Sequence, residues 1–329
     1  MKKIPCLIVA LLALTACAPG SLPAAATTTS SPSVTEVSVV MGYVPDIQYA
    51  PFFIADKKGY FAAEGLKVKY NWGFEFDGIK LVGANQSDFA IVGGDQIIQA
   101  RAQTIPIVYV ANWYHDFPVE IISLADKQIR EPKDLIGKKV GLPGLFGATY
   151  TAWRAMLYTQ HIDPATITVR DIGFTQAQAL TQGTVDAVSA YANNEPVQLK
   201  LAGKSINEIK TWEFAQLVGN GVATNEATVR NKPQLVRGFV KALLRGVADS
   251  IANPDEALQI SVAALPEAGG DNLKKSQAVL NASIPLWKNS RLGESRPADW
   301  EAMEKFMSEA GMIQKRVDVS QAYTNQFVP

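Results

Sequence analysis

Short segments with alternating or continuous apolar residues recur along the chain, and longer stretches with helical spacing separate them. The strand-like segments are residues 36–41, 66–70, 89–92, 107–111, 138–142, 167–172 and 187–190. Apolar positions three and four residues apart predict helices at 51–61, 233–251 and 297–311. Because connections of ten or more residues allow neighbouring strands to run parallel, the pattern predicts an α/β fold.

The strand and helix alternation restarts near residue 138, which predicts two α/β lobes rather than one sheet. We assign residues 35–120 and 222–329 to the first lobe and residues 121–221 to the second lobe. The last hundred residues are mostly helical in pattern. Segments 118–123 and 218–224 are expected to cross between the lobes and to act as a hinge, since they join the two units and the second carries two glycines.

The N-terminal pattern differs from the rest of the chain. Lys2 and Lys3 precede an apolar run from residue 4 to 14, and Leu14-Thr-Ala-Cys17 follows it. This order predicts a signal peptide at residues 1–16, and the final four residues resemble a bacterial lipobox. We therefore expect Cys17 to carry a lipid anchor, residues 17–34 to form a flexible tether, and the protein to be extracytoplasmic and attached to the cell membrane.

Composition excludes several other classes. The chain has 31 basic and 31 acidic side chains, and removal of the signal peptide leaves 29 basic residues, so no positive excess points to nucleic acid. The two cysteines are Cys6 and Cys17, which leaves the folded body without a thiolate metal site or a disulfide. Only two histidines are present, and they lie far apart in the sequence. We expect no metal and no resident cofactor.

Two motifs resemble a known family. The sequence Ala50-Pro-Phe-Phe-Ile-Ala-Asp-Lys-Lys-Gly-Tyr-Phe-Ala-Ala-Glu-Gly-Leu66 and the later Pro132-Lys-Asp-Leu-Ile-Gly-Lys-Lys-Val-Gly-Leu142 are similar to segments of solute-binding components of ATP-driven importers in the thiamine-pyrimidine-synthesis family. The resemblance implies a two-lobed periplasmic-binding-protein fold of type II, with a hinge and a ligand cleft between the lobes. It also implies a permease and its ATPase as partners.

In α/β folds, ligands bind at the carboxyl ends of strands. The second strand is followed by Trp72, Phe74, Glu75 and Asp77, of which we take all but Phe74 as candidate contacts. The candidates of the first lobe are Tyr43, Asp46, Gln48, Trp72, Glu75, Asp77, Asp95, Gln96, Trp113 and Tyr114. Those of the second lobe are Phe146, Tyr150, Tyr191, Asn193, Asn194 and Glu195. In addition, the backbone N–H groups of residues 141–147 are expected to face a polar ligand group.

These candidates are aromatic, acidic and amide side chains, whereas a sulfonate or nitrate site needs concentrated positive charge or many hydrogen-bond donors. A flat neutral heterocycle fits them better, because rings stack on ring faces and amides or carboxylates recognise the ring edge. Trp72-Gly-Phe-Glu-Phe-Asp77 and Tyr191-Ala-Asn-Asn-Glu-Pro-Val197 resemble the flavin-importing branch of the family, so riboflavin is the first expectation for the transported ligand. A thiamine pyrimidine precursor is the alternative.

Two further classes of function stay open at this point. A sensor module would have the same fold and a partner other than a permease. An enzyme is disfavoured, because the sequence has no Gly-x-Ser-x-Gly motif and lacks the Cys-rich motif of the fungal pyrimidine-precursor synthases that share the fold.

Overall fold

The computed structural model describes residues 34–329; the predicted signal peptide, the predicted lipidation site and most of the predicted tether lie outside the described residues. The strands are β1 (Thr35–Val40), β2 (Leu66–Asn71), β3 (Phe89–Gly93), β4 (Ile107–Asn112), β5 (Val119–Leu124), β6 (Lys139–Leu142), β7 (Thr168–Asp171), β8 (Ala187–Tyr191), β9 (Ile206–Lys210) and β10 (Asn220–Asn225). The helices are α1 (Ala50–Lys57), α2 (Tyr60–Ala63), α3 (Glu75–Gly83), α4 (Gly94–Ala102), α5 (Gly147–Thr159), α6 (Gln176–Thr181), α7 (Glu195–Leu201), α8 (Glu226–Asn231), α9 (Pro233–Ala252), α10 (Pro254–Ala264), α11 (Leu273–Trp287) and α12 (Pro297–Glu309).

The strands form two five-stranded sheets, in the orders β2-β1-β3-β10-β4 and β7-β6-β8-β5-β9. Strands β1, β2 and β3 pair in parallel, as do β6, β7 and β8. β10 in the first sheet and β5 in the second each run antiparallel to both of their neighbours. The predicted α/β fold with two lobes is confirmed, and both lobes have the same strand order.

The antiparallel strands are the ones that the sequence pattern assigned to the hinge. β5 enters the second sheet directly from the first lobe, and β10 returns to the first sheet from the second lobe. Residues 119–123 and 220–224 are therefore paired strand, and the chain passes between the sheets just before them, at 113–118 and 211–219. The expected lobe boundary at residue 221 falls inside β10.

Apolar clusters cover both faces of each sheet. On one face of the first sheet, the apolar positions of α1, α9, α10 and α11 pack against β1, β3 and β4. On the other face, α3, α4 and α12 form a second cluster, which continues into the second lobe through Ala148, Ala152 and Ala155 of α5. Smaller clusters lie on the two faces of the second sheet. Helix packing thus joins the lobes on one side of the cleft between them.

One predicted helix is divided in two. The pattern at 51–61 predicts a continuous helix, but the chain forms α1 and α2 with a break at Gly59, whose φ is +71°. Side chains with a Cβ rarely adopt this left-handed conformation, so glycine lets the chain turn there. Within residues 34–329, no helix combines the length and the apolar character that crossing a membrane requires.

Candidate ligand-binding cleft

A cleft lies between the two sheets, at the carboxyl ends of their parallel strands. Its empty volume is about 830 Å³, including the part open to solvent. The loops after β1, β4, β6 and β7 line it, together with the first turns of α3, α4, α5, α6 and α7. Strand ends and helix N-termini from both lobes therefore face a common space.

Many residues selected from the sequence line this cleft. The predicted residues that line it are Tyr43, Gln48, Glu75, Gln96, Trp113, Tyr114, Phe146, Tyr191, Asn194 and Glu195. The lining also contains Gly42, Tyr49, Phe74, Phe76, Pro143, Gly144, Gly147, Ala148, Thr149, Phe174, Gln176 and Asn220. Gly144 and Gly147 belong to the turn whose backbone was expected to face a ligand.

The polar lining residues Glu75, Gln96, Asn194 and Glu195 form what we call the floor of the cleft. Glu75 is held there by two hydrogen bonds. Its carboxyl oxygens accept hydrogen bonds from Asn220 Nδ2 at 2.6 Å and from the backbone N–H of Gly93 at 3.2 Å. Burial and the neighbouring charge of Asp95 raise the pKa of Glu75 to about 8. At neutral pH the carboxyl is therefore largely protonated, and a neutral acid is able to donate a hydrogen bond.

The close approach of Glu75 to the first strand depends on Gly42. The φ of Gly42 is +76°, and a Cβ at this position would lie 2.6 Å from the carbonyl oxygen of Ile91 and 2.9 Å from Glu75 Cγ. Any other residue would displace Glu75 or the strand beside it. The glycine after β1 therefore makes room for the acid.

Glu195 is the matching acid of the second lobe. It opens α7, and its Oε2 accepts a hydrogen bond from the backbone N–H of Tyr191 at 3.2 Å. Burial raises the pKa of Glu195 to about 7, with a further contribution from Asp46 and an opposing one from Lys275 of α11. Next to it, Asn194 Oδ1 accepts a hydrogen bond from Gln198 of the same helix.

The cleft has no cationic lining. Among the described residues, neither Lys, Arg nor His contributes to its wall. Burial raises the pKa of the tyrosines Tyr43, Tyr49 and Tyr191, so their hydroxyls stay neutral as well. The electrostatic environment thus disfavours an anionic ligand and favours a neutral one that presents hydrogen-bonding groups.

Aromatic rings form the mouth of the cleft. Phe74 and Phe76 of the first lobe meet Phe146 and Phe174 of the second, with ring centroids 5.4 Å apart for Phe74 with Phe174 and for Phe76 with Phe146. Tyr43 makes an edge contact of 5.0 Å with Phe174. We call Phe74, Phe76, Phe146 and Phe174 the rim; Phe74, Phe146 and Phe174 are 40%, 45% and 44% exposed.

Behind the floor, Asn193 joins the lobes by hydrogen bonds. It is fully buried, and its Nδ2 lies 3.2 Å from Gln48 Oε1, 3.1 Å from Tyr114 Oη and 2.7 Å from Ser283 Oγ. These three partners belong to the first lobe, whereas Asn193 follows β8 of the second. Asn193 was predicted to contact ligand. Its side chain instead joins the two lobes and does not line the cleft.

Asp95 has a similar position on the opposite side. Its carboxylate is fully buried behind the cleft wall and accepts hydrogen bonds from Thr151 Oγ1 of α5 at 2.6 Å and from Gln96 Nε2 at 3.2 Å. Burial raises its pKa. Asp95 was predicted to contact ligand, but it connects α4 of the first lobe with α5 of the second.

Four other predicted contacts also lie outside the cleft lining. Asp46 caps the short 3-10 turn Ile47–Tyr49 through Gln48 N at 3.0 Å, and Trp72 packs edge-on against Tyr49 at 5.1 Å. Asp77 points outward beside Lys80 at 3.9 Å. Tyr150 Oη accepts a hydrogen bond from Arg154 at 2.8 Å. In each case a neighbouring side chain or backbone group on the same lobe already satisfies the residue.

Sequence reasoning missed the side chains of Phe74, Phe76, Phe174, Gln176 and Asn220. Phe174 and Gln176 follow β7, whose residues are mostly exposed and which carries little apolar signal. Asn220 opens β10, which was assigned to the hinge. Phe174 and Gln176 could have been selected by the rule that selected the other candidates, because they lie between the end of a strand and the first turn of a helix.

The fold and the cleft define the class: a two-lobed α/β protein of the periplasmic-binding-protein type, with a ligand cleft between its lobes. The periplasmic aliphatic sulphonate binding protein SsuA from Escherichia coli has the same fold, with a TM-score of 0.72, 13% identity and coverage of 88% of this chain and 97% of that chain. Within residues 34–329, no group of three or more His, Cys, Asp or Glu side chains is arranged to hold a metal ion.

The chain belongs to the family described as NMT1/THI5 like, whose pattern matches residues 46–257. The resemblance inferred from the two sequence motifs is thereby confirmed. The chain is 37% identical to the riboflavin-binding protein RibY of Chloroflexus aurantiacus, over 98% of this chain and 96% of that protein.

More distant relatives have different roles. A formylaminopyrimidine-binding protein of Halalkalibacterium halodurans is 26% identical over 98% of both chains. A 4-amino-5-hydroxymethyl-2-methylpyrimidine phosphate synthase of Legionella pneumophila is 24% identical over 89% of this chain and 92% of that protein. The family thus contains both binding proteins and enzymes, and the likeness to the riboflavin-binding protein is the stronger.

Proposed function

We propose that this protein is the extracytoplasmic solute-binding component of an ATP-driven importer and that its ligand is riboflavin. The observation that carries the proposal is the cleft itself, with aromatic rings at its mouth, neutral hydrogen-bonding groups on its floor and no cation in its described lining. The 37% identity to a riboflavin-binding protein over nearly the whole chain supports the same ligand.

The floor suits the edge of a flavin ring, which presents carbonyl oxygens, ring nitrogens and an N–H. At neutral pH, Glu75, with a pKa of about 8, is largely protonated and Glu195, with a pKa of about 7, is about half protonated, so both are able to donate to ring carbonyls. Gln96 and Asn194 add amide groups to the same wall. A buried polar group left without a partner costs about 1 to 3 kcal/mol, so this floor favours a ligand that satisfies it.

A phosphorylated flavin should bind more weakly. Its phosphate would enter a cleft whose described lining has no lysine, arginine or histidine to offset the charge, and a partly buried charge without a partner is costly. The same argument separates this cleft from an alkanesulfonate site, although the fold is shared. A thiamine pyrimidine precursor remains the alternative ligand, because its small ring would use the same acids and amides.

Capture would proceed by enclosure between the lobes. Ligand contacts from both lobes favour the closed form, and the chain segments 113–118 and 211–219 would permit the lobes to separate. In this proposal a lipid on Cys17 keeps the protein at the membrane, where the closed form is presented to a permease and its ATPase. Replacing Cys17 with Ser should release the protein into the soluble fraction, and unchanged membrane retention would contradict the anchor.

The ligand is tested by the visible absorption spectrum of protein purified from rich medium. Riboflavin absorbs in the visible region and a pyrimidine absorbs only in the ultraviolet, so we expect a yellow protein whose chromophore is released on denaturation. A colourless protein that takes up no added riboflavin would contradict the proposal. Chemical conversion of the added ligand would indicate an enzyme.

A further inference from the structure

Two rim rings, one from each lobe, stack on one another across the mouth of the cleft. The centroids of Phe74 and Phe174 are 5.4 Å apart and their planes differ by 21°. Phe74 directly precedes α3 in the first lobe, and Phe174 lies between β7 and α6 in the second. The gap between these two rings therefore depends on how far the lobes are apart.

The rim contributes little to the folded core. None of Phe74, Phe76, Phe146 and Phe174 belongs to the four apolar clusters formed by residues 34–329. Large apolar side chains that are 40% to 45% exposed gain less from burial than core residues do. Their concentration at the mouth of a cleft needs an explanation other than folding stability.

The geometry matches two plates that hold a flat ring. A ring bound face to face between two others needs their faces about 7 Å apart, twice the roughly 3.5 Å of an optimal carbon contact. Phe146 supplies a side wall, because its ring stands edge-on to Phe74 at 6.2 Å and an interplanar angle of 75°. A modest separation of the lobes would thus open a slot whose faces are apolar and whose inner end leads to the acids and amides of the floor.

We infer that Phe74 and Phe174 form an aromatic clamp, which holds the flat ring of the ligand between the lobes. In the ligand-free protein the two rings contact each other instead. The inference rests on the proposed function and specifies which side chains stack on the heterocycle. It assigns this role to residues outside the set that the sequence indicated, since Trp72 packs elsewhere.

A second role for the pair predicts the opposite effect. If the contact between Phe74 and Phe174 only latched the empty lobes together, the ligand would have to break it without replacing it. Removal of either ring would then leave affinity unchanged or increase it. In a clamp, both rings regain a contact with the ligand, and removal of either ring weakens binding.

The test is titration of ligand-stripped protein with riboflavin, by calorimetry, for the wild type and for Phe74→Ala, Phe174→Ala and Phe174→Tyr. We expect each alanine variant to bind roughly 5- to 150-fold more weakly, the range for loss of one stacked ring. Phe174→Tyr keeps the ring and should bind within about threefold of the wild type. Leu145→Ala is the matched control, since Leu145 is apolar, 57% exposed and next to Phe146.

Lumiflavin, which has the same tricyclic ring and no ribityl chain, should lose affinity by the same factor in each alanine variant. Alanine variants that bind riboflavin as tightly as the wild type, or more tightly, would overturn the clamp and leave the proposed function intact. If the wild type binds a pyrimidine and no riboflavin, the flavin assignment is wrong, and the same variants titrated with that pyrimidine decide the clamp. If the wild type binds neither, both proposals are wrong.

Discussion

The floor and the rim of the cleft differ in almost every physical respect. Of the acids of the floor, Glu195 is buried and Glu75 is partly buried, and hydrogen bonds from backbone and amide groups hold both. Three of the four rim rings are exposed, and the rim rings are held by contacts with one another. Directional groups in a fixed environment discriminate between ligands, whereas ring faces bind many flat molecules. We therefore assign selectivity to the floor and most of the ring-stacking affinity to the rim.

This division of roles between the floor and the rim requires the floor to keep its geometry when the lobes meet. Tyr191 of the second lobe donates a hydrogen bond to Asn220 Oδ1 at 3.0 Å, and Asn220 in turn donates to Glu75. Together with the contacts of Asn193, this chain of hydrogen bonds crosses between the lobes below the ligand space. The rim makes only apolar contacts between lobes.

The largest expected effect is a dependence of stability on pH. The pKa of Glu75 rises to about 8 and that of Glu195 to about 7 in the folded protein, so between their ordinary values and these pKa values the folded state keeps protons that the unfolded state has lost. Stability contributed by these groups is full below pH 4.5 and falls as pH rises to about 8, at up to about 1.4 kcal/mol per pH unit for each group.

Thermal unfolding of the ligand-free protein between pH 5 and pH 8 measures this dependence. Glu75→Gln and Glu195→Gln should each flatten the decline in melting temperature, since an amide does not titrate. Glu36→Gln is the control, because the carboxylate of Glu36 is 66% exposed. Equal slopes for the wild type and both floor variants would show that these acids are ionised in the folded state.

The next effect comes from the link between lobes at Asn193. Asn193→Ala leaves Gln48, Tyr114 and Ser283 without a shared partner, at a cost of about 2 to 3 kcal/mol in stability. Riboflavin affinity should fall as well, because the closed form loses contacts. Asn281→Ala, at an exposed position of α11 near Ser283, is the control. The melting temperature and affinity of Asn193→Ala should both differ from those of the control, and equality would contradict the link.

The preference for riboflavin over its phosphate distinguishes the role of the floor from that of the rim more sharply than stability does. At pH 8, above the pKa of about 7 of Glu195, its carboxylate is ionised. In Glu195→Gln at this pH, the preference for riboflavin over its phosphate should shrink roughly tenfold, because about 1 to 2 kcal/mol of charge repulsion is removed. In Phe174→Ala, both affinities should fall while their ratio stays constant. Competition titrations with the two flavins measure both ratios. A changed ratio in the rim variant, together with an unchanged one in the floor variant, would reverse the assignment.

The smallest effect concerns Asp77, which the sequence placed in the site and the structure does not. Its carboxylate is 48% exposed and lies beside Lys80 on the outer side of α3. Asp77→Asn should leave riboflavin affinity within about twofold of the wild type, as for an ordinary surface substitution. A larger loss in the same titration would bring Asp77 back into the site.

The sequence predicts some of the strands and some of the residues that line the cleft. Alternation and apolar runs located the parallel strands, and the rule that ligands bind at strand ends selected Glu75, Tyr191 and Glu195, which line the cleft. The strands β5, β9 and β10 were missed because their antiparallel partners lie far away in the sequence, and local pattern does not specify such partners.

The direction in which a loop side chain points was harder to predict than its position after a strand. Trp72 and Phe74 are two residues apart after the same strand, yet Trp72 packs against Tyr49 and Phe53 while Phe74 lies on the rim. Likewise, Asn193 and Asn194 are adjacent, and only Asn194 lines the cleft. A loop residue points toward ligand or core according to the turn that it occupies, and the sequence pattern does not determine that turn.

The central claim is that the cleft binds a neutral flavin, and calorimetry on ligand-stripped wild-type protein tests it most directly. The account predicts saturable binding of one riboflavin per protein, at least tens of times tighter than the binding of riboflavin phosphate, since burying the phosphate charge without a cation in the described lining costs more than about 2 kcal/mol. Equal affinity for the two flavins, or no heat with either alongside clear binding of a pyrimidine, would contradict it.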